Sequence, residues 1–144
     1  MKKILFVCTG NTCRSPMAEA IFNDKAKKRN ADFRADSAGL SAFEGAGVSS
    51  YADKALSMIG IDVSGHSATL FDPKEASKYD VICGMTPSHA HMIAKIAPSL
   101  SGKVCVLGDG IPDPFGMDLD EYIICRDAIT AGIDRLWEEL QHER

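Results

Sequence analysis

The sequence predicts an α/β fold: a three-layer sandwich with a four-stranded parallel sheet flanked by helices. Three observations carry this expectation. The first strand-like run, Ile4-Leu5-Phe6-Val7, is apolar at every position, as a strand covered on both faces must be. Strand-like runs then alternate with helix-like ones to the end of the chain, and a parallel sheet with right-handed crossovers is the arrangement that joins such units. The turn after the first strand holds Gly10 and Asn11 and leads to Pro16, residues suited to a tight bend that opens a helix.

The elements follow in order. Residues 3–8 form the first strand. Residues 16–28 read as a helix with Met17, Ala20, Ile21 and Ala26 inward, ending in Lys25, Lys27, Lys28 and Arg29, whose charges suit its carboxyl end. Residues 33–37 form a second short strand. Residues 49–59 are helical, capped by Ser49 or Ser50 and ended by Gly60. Residues 79–84 give a third strand with Val81, Ile82 and Cys83. A helix over 86–97 begins at Pro87 with Thr86 as its cap and stops before Pro98. Residues 103–107 form the fourth strand. Residues 119–141 form the closing helix, carrying Tyr122, Ile123, Ile129, Ile133, Leu136, Trp137 and Leu140.

Composition bounds the function. A chain of 144 residues is expected to be a single domain over 1–144 with a proper core. Its net charge of −4 gives no basic field for nucleic acid. The five apolar residues between Lys3 and Thr9 are too short a run for a signal peptide or membrane span. Five cysteines, an odd number with no C-x-x-C pair, point away from a metal site or a disulfide framework and toward a reducing cytoplasm. The expected protein is a cytoplasmic monomer without metal or cofactor.

The chemistry concentrates in Val7-Cys8-Thr9-Gly10-Asn11-Thr12-Cys13-Arg14-Ser15-Pro16. A short loop between strand and helix turns successive backbone N–H groups toward one point, and the helix start behind it adds about half a positive charge. Asn11 tolerates the left-handed conformation such a loop needs. Arg14 offers a planar fork for two oxygens of a phosphoryl group. Ser15 can donate its hydroxyl to the sulfur of Cys8. A helix start and an arginine both favour thiolate, so Cys8 reads as a nucleophile that accepts a phosphoryl group, with Thr9, Gly10, Asn11, Thr12, Cys13 and Ser15 lining the anion site. A cysteine at a strand end is ordinarily a small buried residue. Here Gly10, Arg14, Ser15 and Pro16 all stand where an anion site needs them, and that reading is preferred.

The run from Val7 to Pro16, continued by Met17-Ala18-Glu19, resembles the signature of the low-molecular-weight protein tyrosine phosphatase family. Ser37-Ala38-Gly39 and Asp113-Pro114-Phe115-Gly116 match in order, so the resemblance spans nearly the whole chain. It implies the fold of that family, a metal-free reaction in two steps through phosphocysteine, and a phosphorylated protein as substrate. It also selects Asp113 from the aspartates of the 108–118 loop as proton donor to the leaving group and base for the attacking water. Asp109, Asp118 and Asp120 stay turn or cap residues. Ser37 and Gly39 are expected to shape the wall beside the site.

Two positions bear on substrate. Family members acting on phosphotyrosine usually carry a branched aliphatic residue where this chain has Thr12, and tyrosine where it has Phe115. Thr12 with Asp-Pro-Phe resembles the bacterial protein-arginine phosphatase branch. A guanidinium is planar but polar: it tolerates a hydroxyl neighbour and stacks on an aromatic face, which Phe115 can supply. Phosphoarginine is therefore preferred over phosphotyrosine. Arsenate reduction, known on the same loop, needs two further cysteines on a mobile segment. Cys83 and Cys105 fall in strands and Cys125 on a helix, as small core residues. Cys13 has two readings, a reversible disulfide partner for Cys8 or a neutral loop residue. A non-catalytic phosphoprotein-binding module would need no proton donor, and the joint presence of Cys8, Arg14 and Asp113 argues for turnover. His66, His89, His91 and His142 have no ligand spacing and read as structural.

Overall fold

Strand β1 (Lys2–Cys8) runs through the middle of the sheet, between β2 (Phe33–Gly39) and β3 (Val81–Gly84), with β4 (Val104–Val106) beyond β3. These spans come from a computed structural model that describes residues 1–142. All neighbours are parallel and the order is β2-β1-β3-β4. The register pairs Cys8 with Gly39 and Val7 with Gly84, so the strands finish close together at one edge. In open parallel sheets ligands bind beyond that carboxyl edge, where the chain leaves neighbouring strands in opposite directions.

The unbroken apolar run of β1 has its physical reason in two separate cores. Ile4, Phe6 and Cys8 face the core under α1 (Arg14–Lys28), α2 (Ser50–Ser57) and α5 (Leu119–His142). Leu5 and Val7 face the other, with Ile82, Ile93 and Leu100 under α4 (Pro87–Ile96). A strand alternates faces at each residue, so only a covered sheet accepts apolar side chains at every position. The first core is knitted by aromatic contacts: Phe22 lies 5.4 Å from Trp137 and 5.9 Å from Phe6, ring centre to ring centre.

Several expected boundaries shift, each for a local reason. Helix α1 begins at Arg14, ahead of Pro16, because a proline within the first turn costs no hydrogen bond. Its inward face includes Ala18 and Phe22 beside Met17, Ile21 and Ala26, while Ala20 is only partly buried. That broad stripe fits a helix packed on both the sheet and α5. Strand β2 runs on to Gly39, where it gains a bridge to Leu70. Helix α2 ends at Ser57; Gly60, at φ 77°, turns the chain so that the Ile61 N–H reaches the Leu56 carbonyl. A short helix α3 (Pro73–Ala76), capped by Asp72, was not expected from the sequence. Nor was a 3-10 turn over Pro98–Lys103, which shortens β4 to three residues. Cys83 and Cys105, far apart in sequence, occupy paired positions on β3 and β4. Among the described residues no helix is long and apolar enough to cross a membrane.

Candidate active site

The loop from Cys8 to Arg14 is held from within and from four directions. Asn11 adopts φ 57°, the left-handed conformation its short polar side chain accepts. Its backbone N–H donates to Cys8 Sγ at 3.3 Å. Its side-chain amide donates to Ser15 Oγ at 2.7 Å and Ser37 Oγ at 2.9 Å, and its Oδ1 accepts from Thr69 N at 2.9 Å. His66 Nε2 donates to the Asn11 carbonyl at 2.8 Å. Ser15 Oγ lies 2.9 Å from Cys8 Sγ and accepts from Asn11, which leaves its own proton for the sulfur or, at 3.5 Å, for the Ala38 carbonyl. Ser37 in turn donates to Glu19, whose carboxyl is pushed up by burial, with the Ser37 bond opposing. A chain of polar contacts therefore runs Glu19–Ser37–Asn11–Ser15–Cys8.

Gly39 lets β2 press against this loop. A Cβ there would stand 2.6 Å from the Thr9 carbonyl oxygen and 2.9 Å from Asn11 N, so a side chain has no room. The next residues bind the loop backbone: Leu40 N donates to the Cys8 carbonyl and Ser41 N to that of Thr9, both at 2.9 Å. Helix α1 starts at Arg14 with no side-chain cap from Cys13, which leaves its first turn open toward the cleft as an anion site requires.

Arg14 is 5% exposed and directed by the far side of the cleft. Its Nη1 donates to the Ile111 carbonyl at 2.9 Å, and Nη2 lies 3.6 Å from Asp113 Oδ2. Asp113 is 53% exposed, and its Oδ1 accepts from Phe115 N at 3.0 Å, a turn that lifts Phe115 out to 74% exposure. Cys8, Thr9, Gly10, Thr12, Cys13, Arg14, Asp113 and Phe115 line one cleft of about 240 Å³. That is below the ~300–1,000 Å³ of ordinary small-molecule pockets and suits the phosphorylated end of a side chain.

The thiol of Cys13 donates to Ser49 Oγ at 3.4 Å and lies 3.5 Å from the Tyr122 hydroxyl. Burial and that contact push Tyr122 up to about 12. Cys125 is also driven up to about 12, chiefly by burial, which makes it an inert core thiol. His66 and His89, which their spacing marks only as structural, both bond the loop; His89 Nε2 is 2.9 Å from Thr9 Oγ1. Nothing local in the sequence flags them, because they approach from 55 and 80 residues away.

Comparison with known proteins bears on the family and the fold. The family described as low molecular weight phosphotyrosine protein phosphatase matches residues 3–144. A protein-arginine-phosphatase of Geobacillus stearothermophilus is 38% identical, across 99% of this chain and 98% of its own. A low molecular weight protein tyrosine phosphatase from T. tengcongensis superposes with a TM-score of 0.92 at 37% identity, covering 96% of this chain and 99% of its own. The YwlE arginine phosphatase, solved as a cysteine-to-serine variant with a phosphorylated active-site serine, gives a TM-score of 0.93 at 32% identity, covering 99% of this chain and 97% of its own.

Proposed function

Because the chain belongs to the low molecular weight phosphotyrosine protein phosphatase family, we propose that it removes phosphoryl groups from arginine side chains of proteins through a phosphocysteine intermediate. In this reading the Cys8 thiolate attacks phosphorus, a sulfur–phosphorus bond forms and the nitrogen–phosphorus bond breaks. Asp113 gives its proton to the departing guanidine nitrogen. The Asp113 carboxylate then takes a proton from water, whose oxygen attacks phosphorus; orthophosphate leaves and the thiolate returns. The backbone of Thr9 to Ser15 and the Arg14 fork hold the non-bridging oxygens, so charge moving toward them meets fixed donors. Ser15 and Asn11 steady the thiolate before and after each cycle.

One observation carries the preference for arginine: Thr12 and Phe115 line the same cleft as Cys8 and Asp113. A hydroxyl and an exposed ring suit a polar planar group, and the Asp113 carboxyl can hydrogen-bond its nitrogens. Phosphotyrosine is the second reading, favoured by the likeness to the T. tengcongensis enzyme. The odd cysteine count, with no C-x-x-C pair, supports action in a reducing cytoplasm, and a single domain acting as a monomer completes the proposal.

Phosphate release from phosphoarginine and phosphotyrosine peptides, measured in parallel on reduced protein with Cys8→Ser as control, tests the proposal. Faster release from phosphoarginine, absent in the control, is the expected result. Faster release from phosphotyrosine would overturn the arginine assignment; release that survives Cys8→Ser would overturn the mechanism.

A further inference from the structure

Helix α4 opens against the rear of the cleft. At the end of β3 a Cβ on Gly84 would stand 2.8 Å from Ala90 N and 3.1 Å from His89 Cβ, so the glycine lets the first turn of α4 lie directly on the sheet edge. That contact brings His89, the third residue of the helix, beside the loop, 7% exposed. Its backbone N–H donates to Thr86 Oγ1 at 3.2 Å, its Nδ1 lies 3.0 Å from that same oxygen, and its Nε2 lies 2.9 Å from Thr9 Oγ1.

One arrangement of protons uses every group in these bonds. Thr86 Oγ1 already receives the backbone N–H, so its own hydroxyl proton is free for Nδ1. Nε2 then carries the ring proton and donates to Thr9 Oγ1. Thr9 is left with an unused hydroxyl proton, and Thr9 directly follows Cys8 and lines the cleft. In the opposite tautomer Thr86 Oγ1 would take two N–H groups while its own proton lacked this acceptor. Burial and then the Arg14 charge hold His89 below its usual range, with Asp113 opposing, which favours the neutral ring that the relay uses.

We propose that His89 is a positioning residue that, through this relay, turns the Thr9 hydroxyl into a donor to the phosphoryl oxygens. The inference rests on the reading of the cleft as a phosphoryl site and adds a side-chain contact to the backbone nest and Arg14.

Orthophosphate binding to the reduced protein, followed by calorimetry, tests it without turnover. Thr9→Val should weaken binding about tenfold, the usual effect of losing a hydrogen bond to a charged group, and Thr9→Ser should stay within about twofold. His89→Asn keeps an amide near Thr86 but is too short for Thr9, and should weaken binding to a similar degree. The double variant should bind no more weakly than Thr9→Val alone, because both changes remove one contact. With phosphopeptide, KM should rise while kcat changes little, since the contact is made in ground and transition state alike; general damage to the loop would lower kcat and melting temperature together. Unchanged phosphate affinity in Thr9→Val, or a double variant showing the product of the two single effects, would overturn the proposal. The predicted binding pattern without turnover of any phosphopeptide would defeat the phosphatase reading and support the relay.

Discussion

The two loops that meet at the cleft are built in opposite ways. The Cys8–Arg14 loop buries Cys8, Asn11, Cys13 and Arg14, and its hydrogen bonds come from β2, α1, α4 and the 66–69 segment. In the 108–118 loop Ile111 is buried and bonded to Met85 and Arg14, but the stretch from Asp113 on leaves Asp113 and Phe115 exposed; apart from the Arg14–Asp113 pair it is tied by short local turns, Phe115 N to Asp113 Oδ1 and Met117 N to the Pro114 carbonyl. A site for phosphoryl oxygens works by fixed donors whose reorganisation is already complete. A proton donor that must meet differently shaped leaving groups gains from fewer ties. In the proposed mechanism the first loop therefore couples chemistry to stability, and the second carries its chemistry at little cost to the fold.

The largest expected effect lies on the second loop. Asp113→Asn should slow phosphate release from poor leaving groups by about 10²–10⁴ while leaving the melting temperature nearly unchanged. On the first loop, Arg14→Lys keeps the charge but cannot hold the Ile111 carbonyl and two phosphoryl oxygens at once. Steady-state kinetics should show a loss of about 10²–10³. Asn11→Ala is the sharpest structural probe: it takes a donor from Ser37 and Ser15, strands the Thr69 N–H and removes the polar side chain that makes φ 57° acceptable. Urea unfolding should show a loss of about 2–4 kcal/mol, whereas Phe115→Ala should stay within about 0.5 kcal/mol. Equal losses from the two would erase the contrast between the loops. Thr12→Ile should move the ratio of kcat/KM toward phosphotyrosine by about tenfold, as one small pocket change allows.

The smallest effect concerns Glu19. Its folded carboxyl titrates above the unfolded value, so it contributes most to stability when protonated, at low pH, and that contribution is lost as pH rises through its folded value. Glu19→Gln keeps an acceptor for Ser37 without the buried charge. It should therefore raise the melting temperature at pH 7, with the gain shrinking as pH falls toward 4.5. A gain that grows on acidification would contradict the assigned direction.

The same contrast explains what the sequence disclosed. The parallel sheet was legible because β1 must be apolar on both faces and because caps such as Thr86-Pro87 declare themselves locally. The first loop was legible because a contiguous run carries the proposed nucleophile, the left-handed residue and the arginine. Asp113 needed the family likeness, since an aspartate before proline is ordinary turn chemistry. His66, His89 and the Glu19–Ser37 link escaped: each acts through a contact made only when distant segments fold together. The short helix α3 and the 3-10 turn escaped because four to six residues give too little periodicity to read.

The central claim is that Cys8 carries the phosphoryl group between the two steps. Asp113→Asn, mixed with a phosphoarginine peptide whose phosphoryl group is isotopically labelled and quenched within a turnover, should hold that label on the peptide containing Cys8. Mass analysis should find none on Cys13, Cys83, Cys105 or Cys125. Labelled orthophosphate released with no covalent label at any quench time, or a label on another residue, would contradict the account.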